Sequence, residues 1–180
     1  MKWFLRIMMY GSLVLILWGI SVPSFGCRGV STPSAKSRAQ IAGYSTALSA
    51  FKNEYGEFPK MFQETGSVNL AEGLNAERFF IVLSGRYPDG SRNIEAARQQ
   101  GNRKCIAFYS FGTREWQTPE GWSRPTLVDG YGNRNIVVVV DIDGDGKISV
   151  PVDGEMTEID APIGIYTLTD NPDEFVATYL

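Results

Sequence analysis

The tightest constraint on this chain is a run of large apolar side chains at Ile41, Tyr44, Leu48, Phe51, Tyr55 and Phe58, separated alternately by three and four residues. That spacing brings all six to one narrow seam of an α-helix. Within the stretch 35–59, Ala39, Ala42, Ala47 and Ala50 favour the helix, while Gly43, Ser45, Thr46 and Ser49 weaken it. Packing therefore has to hold what propensity does not. Ser34 is the expected N-cap after Pro33, and Gly56 with Pro59 supplies the stop. The resulting helix would be roughly 30 Å long at about 1.5 Å per residue. Its two and a half heptads are too few for a free-standing coiled coil, so the rest of the chain must cover the seam.

The chain of 180 residues is 43% hydrophobic and 21% charged, the composition of one globular domain. A net charge of -3 provides no broad basic surface, which sets nucleic acid aside as a partner. Histidine is absent, which removes the commonest general base at neutral pH and every Ser-His or Cys-His nucleophile pair. A non-enzymatic role is the expectation. The two cysteines, Cys27 and Cys105, lie too far apart in sequence for a zinc-type cluster.

Residues 1–26 read as a signal peptide or membrane anchor, with Lys2 and Arg6 ahead of an apolar run over 7–22. Three fates stay open: lipidation of Cys27 after Gly26, an uncleaved anchor, and cleavage after Ser24-Phe25-Gly26 with release. Each places the remainder on the extracytoplasmic face, at the membrane, on a lipid or free in the periplasm. Residues 27–34 form a linker, and 35–180 the globular domain.

A second helix is expected from Asn69 or Leu70 to Leu83, and a short one over 94–100. The cations Arg92, Arg98, Arg103 and Lys104 read as a solvated loop in preference to an anion site. Residues 105–111, CIAFYSF, have strand composition. If Cys27 is not lipidated, a Cys27–Cys105 disulfide is open to it in an oxidising compartment. Trp116 and Trp122 are expected to cover a sheet. Asp129-Gly130-Tyr131-Gly132-Asn133 is a turn, 135–142 a buried strand, and 147–152 a strand running back as its hairpin partner. The strand 163–168 and a helix or edge segment over 172–180 complete the domain.

The sharpest chemical signal lies in that hairpin's turn. Asp141, Asp143 and Asp145 alternate ahead of Gly146, which matches the first half of an EF-hand-like calcium loop. The backbone carbonyl of Lys147 and the hydroxyl of Ser149 would take positions 7 and 9. Val152 stands where a bidentate Glu belongs, leaving Asp153 or Glu155 as a substitute. Oxygen-only donors favour calcium over zinc or copper. An unmetallated turn is the equally weighted alternative.

Two segments, AKSRAQIAGYSTALSAFKNEYGEFP and VDGYGNRNIVVVVDIDGDGKI, together resemble the type IV pilin-like proteins, in particular the major pseudopilin of type II secretion. The first carries Tyr44, Leu48, Phe51, Tyr55, Gly56, Phe58 and Pro59. The second keeps Asp129, Gly132 and Asn133 of an Asp-Pro-Trp-Gly-Asn-Pro-Tyr motif. The resemblance implies an α+β fold in which a long N-terminal spine helix packs on a small antiparallel sheet, with a short second helix. It also implies an extracytoplasmic protein of the cell envelope that assembles with other pseudopilin-like subunits in protein secretion. The family's C-terminal calcium loop would map to Asp170, Asp173 and Glu174. The alternative is an envelope-anchored lipoprotein that binds a ligand, or a hydrolase working through carboxylates such as Asp141 and Asp143.

Overall fold

A computed structural model of the chain describes residues 32–92, 94–118, 125–152 and 155–180. They belong to one compact unit, Thr32–Leu180. Ile41 to Tyr55 of the seam lie on helix α1, Pro33–Tyr55, and Phe58 lies beyond its end. It begins two residues earlier than expected: Thr32, in place of Ser34, is the N-cap, accepting from the Ala35 amide, and Pro33 takes the first helical position, where its missing N–H is no loss. Gly56 ends it in the left-handed conformation, donating to the Lys52 carbonyl at 2.7 Å. Ile41, Tyr44, Leu48 and Phe51 are fully buried.

The remaining elements are β1 (Ser67–Asn69), α2 (Asn75–Ser84), α3 (Ile94–Gln99), β2 (Trp116–Gln117), β3 (Thr126–Leu127), β4 (Ile136–Val140), β5 (Lys147–Val152), β6 (Glu155–Asp160), β7 (Ile163–Thr167) and β8 (Ala177–Tyr179). Single 3-10 turns lie at Lys60–Phe62 and Pro172–Glu174. The expected architecture of one long spine helix on one small sheet, with a short second helix, is therefore corrected. Among the described residues, eight strands divide among three antiparallel sheets, ordered β1-β4-β7-β8, β2-β3 and β5-β6, and three helices span 23, 10 and 6 residues.

The reason lies in β4, whose five residues are all buried. Ile136, Val138 and Val140 enter the core shared with α1 and α2, while Val137 and Val139 face the other way. The second set needs its own cover, which Ile148 and Val150 of β5 supply together with Ala161 and Tyr166. Both edges of β4 are taken by β1 and β7, so β5 cannot pair with β4. It pairs with β6 from Lys147↔Asp160 to Val152↔Glu155, and the two form a ribbon packed over the sheet. The expected β4–β5 hairpin does not form.

The strand expected over 105–111 is absent too. Phe108 and Tyr109 donate their amides to the Leu83 carbonyl near the end of α2, at 2.8 and 3.1 Å. Their rings join an aromatic cluster in which Tyr44 meets Tyr109 edge-on at 4.9 Å and Phe80 stacks on Phe111 at 4.3 Å. Aromatic burial decides the path here, over strand propensity. Trp116 packs on Phe80 at 5.0 Å, whereas Trp122 lies outside the described residues, as do residues 1–31 and Asp153. The second helix starts later than expected because 67–69 is consumed by β1.

Two glycines mark where layers touch. A Cβ on Gly164 would meet Ile148 Cδ1 at 2.6 Å, so the ribbon sits directly on β7. A Cβ on Gly130 would lie 2.4 Å from the Pro33 carbonyl oxygen and 2.9 Å from the Ser37 nitrogen. That obstacle is backbone and cannot swing aside. Gly130→Ala is expected to cost about 1–3 kcal/mol through overpacking, read as a lower urea midpoint at unchanged slope, with Gly132→Ala, which meets nothing within 4 Å, as the comparison at its own left-handed position.

Candidate functional site

The acidic stretch is a corner between two sheets. Asp141 leaves β4, and Lys147 opens β5. Asp141 is buried and works as the internal cap of the corner: its Oδ1 accepts from the Gly144 amide at 2.7 Å, and its Oδ2 from the Gly146 amide at 3.0 Å. Gly144 and Gly146 have φ near 80° and 84°, which lets the backbone turn both amides inward. Asp143 and Asp145 are exposed, and Asp145 Oδ1 accepts from the Lys147 amide.

One carboxylate oxygen from each of Asp141, Asp143 and Asp145 lies within 4.8 Å of the others, so the triad could hold a metal ion. The fit is partial. Hard oxygen donors suit calcium or magnesium, but three carboxylates are about half of what calcium requires. Lys147 and Ser149 do not wrap around the triad. They lie in regular strand pairing opposite Asp160 and Glu158, which carries Ser149 on the order of 10 Å along β5. Lys147 Nζ instead pairs with Glu158 at 2.6 Å. Asp170, Asp173 and Glu174 lie far along the chain, where Asn171 caps the 3-10 turn through the Asp173 amide.

A second polar site escaped sequence reasoning. Gln40 and Tyr44, one turn apart on α1, reach across to the loops. Gln40 Nε2 donates to the Tyr44 hydroxyl and to the Val128 carbonyl, both at 2.8 Å. Tyr44 in turn donates to Glu115 Oε2 at 2.9 Å, where Tyr109 also donates at 3.1 Å. The Gly112 amide adds a bond to Glu115 Oε1 at 3.0 Å. Burial, then the Glu115 charge, pushes the Tyr44 and Tyr109 phenols well above their ordinary range, so both stay protonated donors. The i, i+4 spacing of Gln40 and Tyr44 was visible in the sequence, but nothing local pointed to Glu115.

Beside this network, Asp129 caps its own turn. Its Oδ1 accepts from the Tyr131 and Asn133 amides at 2.9 and 2.8 Å, and the Gly130 amide donates to Ser37 Oγ at 2.8 Å. A cleft of about 680 Å³ opens here, lined by Lys36, Gln40, Tyr109, Glu115, Asp129 and Tyr131 among others. Of the cations over 92–104, where Arg98 lies on α3 and the expected loop is part helix, Arg103 pairs with Glu57 at 3.7 Å and Lys104 pairs with Glu54. Cys105 is a half-buried free thiol, and Cys27 lies outside the described residues.

Neither family models, nor curated proteins, nor solved structures yield a match to this chain. Among the described residues, no helix is long and apolar enough to cross a membrane.

The corner has a pH signature. Burial raises the Asp141 carboxyl, but hydrogen bonds from the Gly144 and Gly146 amides, with the nearby Lys52 charge, outweigh it and hold the group below its ordinary 3.8. A carboxyl depressed on folding stabilises the fold above its unfolded value and loses that contribution as pH falls through its folded value. Asp141→Asn removes the charge and one of the two acceptors. It is expected to cost about 1–3 kcal/mol at pH 7, with the gap from the parent protein closing below about pH 4, as read from denaturant melts across pH.

Proposed function

We propose that this chain is a non-enzymatic, extracytoplasmic assembly protein of pseudopilin type, held at the cytoplasmic membrane by its N-terminal segment or by lipid on Cys27. The observation that carries the proposal is a division of charge. From Asp141 onward the chain holds ten of its 20 acidic residues and only one of its 17 basic ones. Residues 32–118 carry 11 basic and eight acidic side chains. The acidic part includes the β5–β6 ribbon on one side of the four-stranded sheet, and the basic part includes α1 and α2 on the other. Opposite faces of opposite sign suit head-to-tail contact with like subunits, a heterologous geometry that extends without closing. The resemblance of 35–59 and 129–133 to pseudopilins supports the same reading, which does not rest on a one-sheet architecture.

Such contacts weaken as the Debye length shrinks from about 8 Å at physiological salt to about 3 Å at 1 M. Cross-linking of the full-length protein in membranes should therefore capture neighbouring subunits at low salt and lose them in 1 M salt. Glu155→Lys with Glu158→Lys, both exposed, should lose them at either concentration. Capture that ignores salt and both reversals would sink the assembly reading.

Calcium is the ion we assign to the acidic corner, where it would neutralise Asp143 and Asp145 and stiffen the junction of sheet and ribbon. With a dissociation constant on the order of 10⁻⁴ M, 10 mM calcium should raise the melting temperature by roughly 5–10 °C. Asp143→Ala should abolish the shift. An unchanged melting curve in 10 mM calcium would leave the corner unmetallated.

A further inference from the structure

The sequence contains five Asp-Gly pairs, beginning at Asp89, Asp129, Asp143, Asp145 and Asp153. In such a pair the glycine amide nitrogen can attack the γ-carbon of the preceding carboxyl, because glycine has no Cβ to stand in the way. A nitrogen–carbon bond forms, the carboxyl C–OH bond breaks, and the hydroxyl leaves with the amide hydrogen as water. Water then opens the five-membered imide on either side, restoring aspartate or giving isoaspartate, whose main chain is longer by one methylene. An amide whose hydrogen is held by an acceptor has its peptide plane fixed, so the attack requires that bond to open first.

Four of these pairs lie among the described residues, and the glycine amide of each is engaged. Gly90 donates to the Tyr87 carbonyl at 2.9 Å, and Gly130 donates to Ser37 Oγ at 2.8 Å. Gly144 and Gly146 both depend on one side chain, Asp141, at 2.7 and 3.0 Å. The corner is where restraint matters, since Asp143 and Asp145 are exposed and a Cβ at either glycine would meet nothing within 4 Å among the described residues. Packing gives these two peptides no shelter, and the hydrogen bonds are what holds them. The acceptor is charged and only 6% exposed, which makes both bonds strong and keeps water from competing for them. We propose that Asp143 and Asp145 are latent isomerisation sites and that Asp141 keeps both closed. Isoaspartate at either position would lengthen the turn that joins the sheet to the ribbon and re-aim one carboxylate of the triad. A single buried side chain thereby sets the chemical lifetime of the corner, whether or not a metal ion binds there.

The test is prolonged incubation of the full-length protein in detergent near neutral pH, with a chelator present so that the outcome is independent of calcium. Isoaspartate is then located by peptide mass spectrometry and counted by methyl transfer from an isoaspartyl methyltransferase. At Asp143 and Asp145 it should form about tenfold more slowly than in the urea-unfolded protein. Asp141→Ala releases both amides and should raise the two rates about tenfold, the weight of one charge-assisted hydrogen bond. Asp89 and Asp129, whose glycine amides are held elsewhere, should keep their native rates in that variant. Asp141→Asn retains one acceptor, should give a smaller rise, and serves if the alanine variant does not fold. The proposal is overturned if Asp143 and Asp145 isomerise as fast in the native protein as in the unfolded one, or if both variants leave the two rates at the native level. An equal acceleration at Asp89 would overturn it as well, because general loss of structure would then be the cause.

Discussion

Strand β4 has no free side. β1 and β7 hold its two edges, the helices cover one face, and the β5–β6 ribbon covers the other. A strand enclosed in this way accepts only apolar residues, and Ile136 to Val140 is IVVVV. Every other layer takes its position from that strand. α1 lies where it can bury Ile41, Tyr44, Leu48 and Phe51 against Val138 and its neighbours, and the ribbon lies where Val137 and Val139 need cover. The acidic corner follows as a geometric necessity, because the chain must leave the sheet at Asp141 and return over its outer face. Asp141 makes the change of direction tolerable by accepting two amides that would otherwise have no partner inside the bend.

Legibility of the fold in the sequence followed the range of the interactions involved. Helix α1 was readable because its seam and its stop are local. The ribbon strand β5 and the strand β7 were readable because their alternation and composition are local too. What could not be read was the strand β6, the short strands β1, β2 and β3, and which strands pair. The run over 135–142 looked like half of a hairpin because the next strand follows after a short turn, but occupied edges on β4 outweigh proximity in sequence. The 105–111 segment misled for a related reason. Its Phe and Tyr residues suit a strand in isolation, yet the space around Tyr44 and Phe80 takes their rings at angles no flat ladder allows.

The two polar sites divide in the same way. The triad of Asp141, Asp143 and Asp145 was legible because the spacing alone brings the carboxylates together. Its expected partners Lys147 and Ser149 were misplaced, since strand pairing with Glu158 and Asp160 pulls them straight. The cleft of Gln40, Glu115 and Asp129 is assembled from three separated segments. Asp129 was legible as a turn former and as part of the resembling motif, whereas the pressing of α1 against the Gly130 beside it was not. A tertiary contact of that kind leaves no periodic trace.

The edges of the sheets have a consequence of their own. β1 and β8, which bound the four-stranded sheet, are three residues each, and the outer strand β6 presents Glu155, Glu158 and Asp160 along its length. Short borders and like charges both discourage another chain from adding itself as an extra strand. Any lasting neighbour of this protein therefore has to be chosen by side chains, and a wrong neighbour finds little main chain to hold. The described sheet edges thus offer any other chain, like or unlike, little chance of adding itself as a strand.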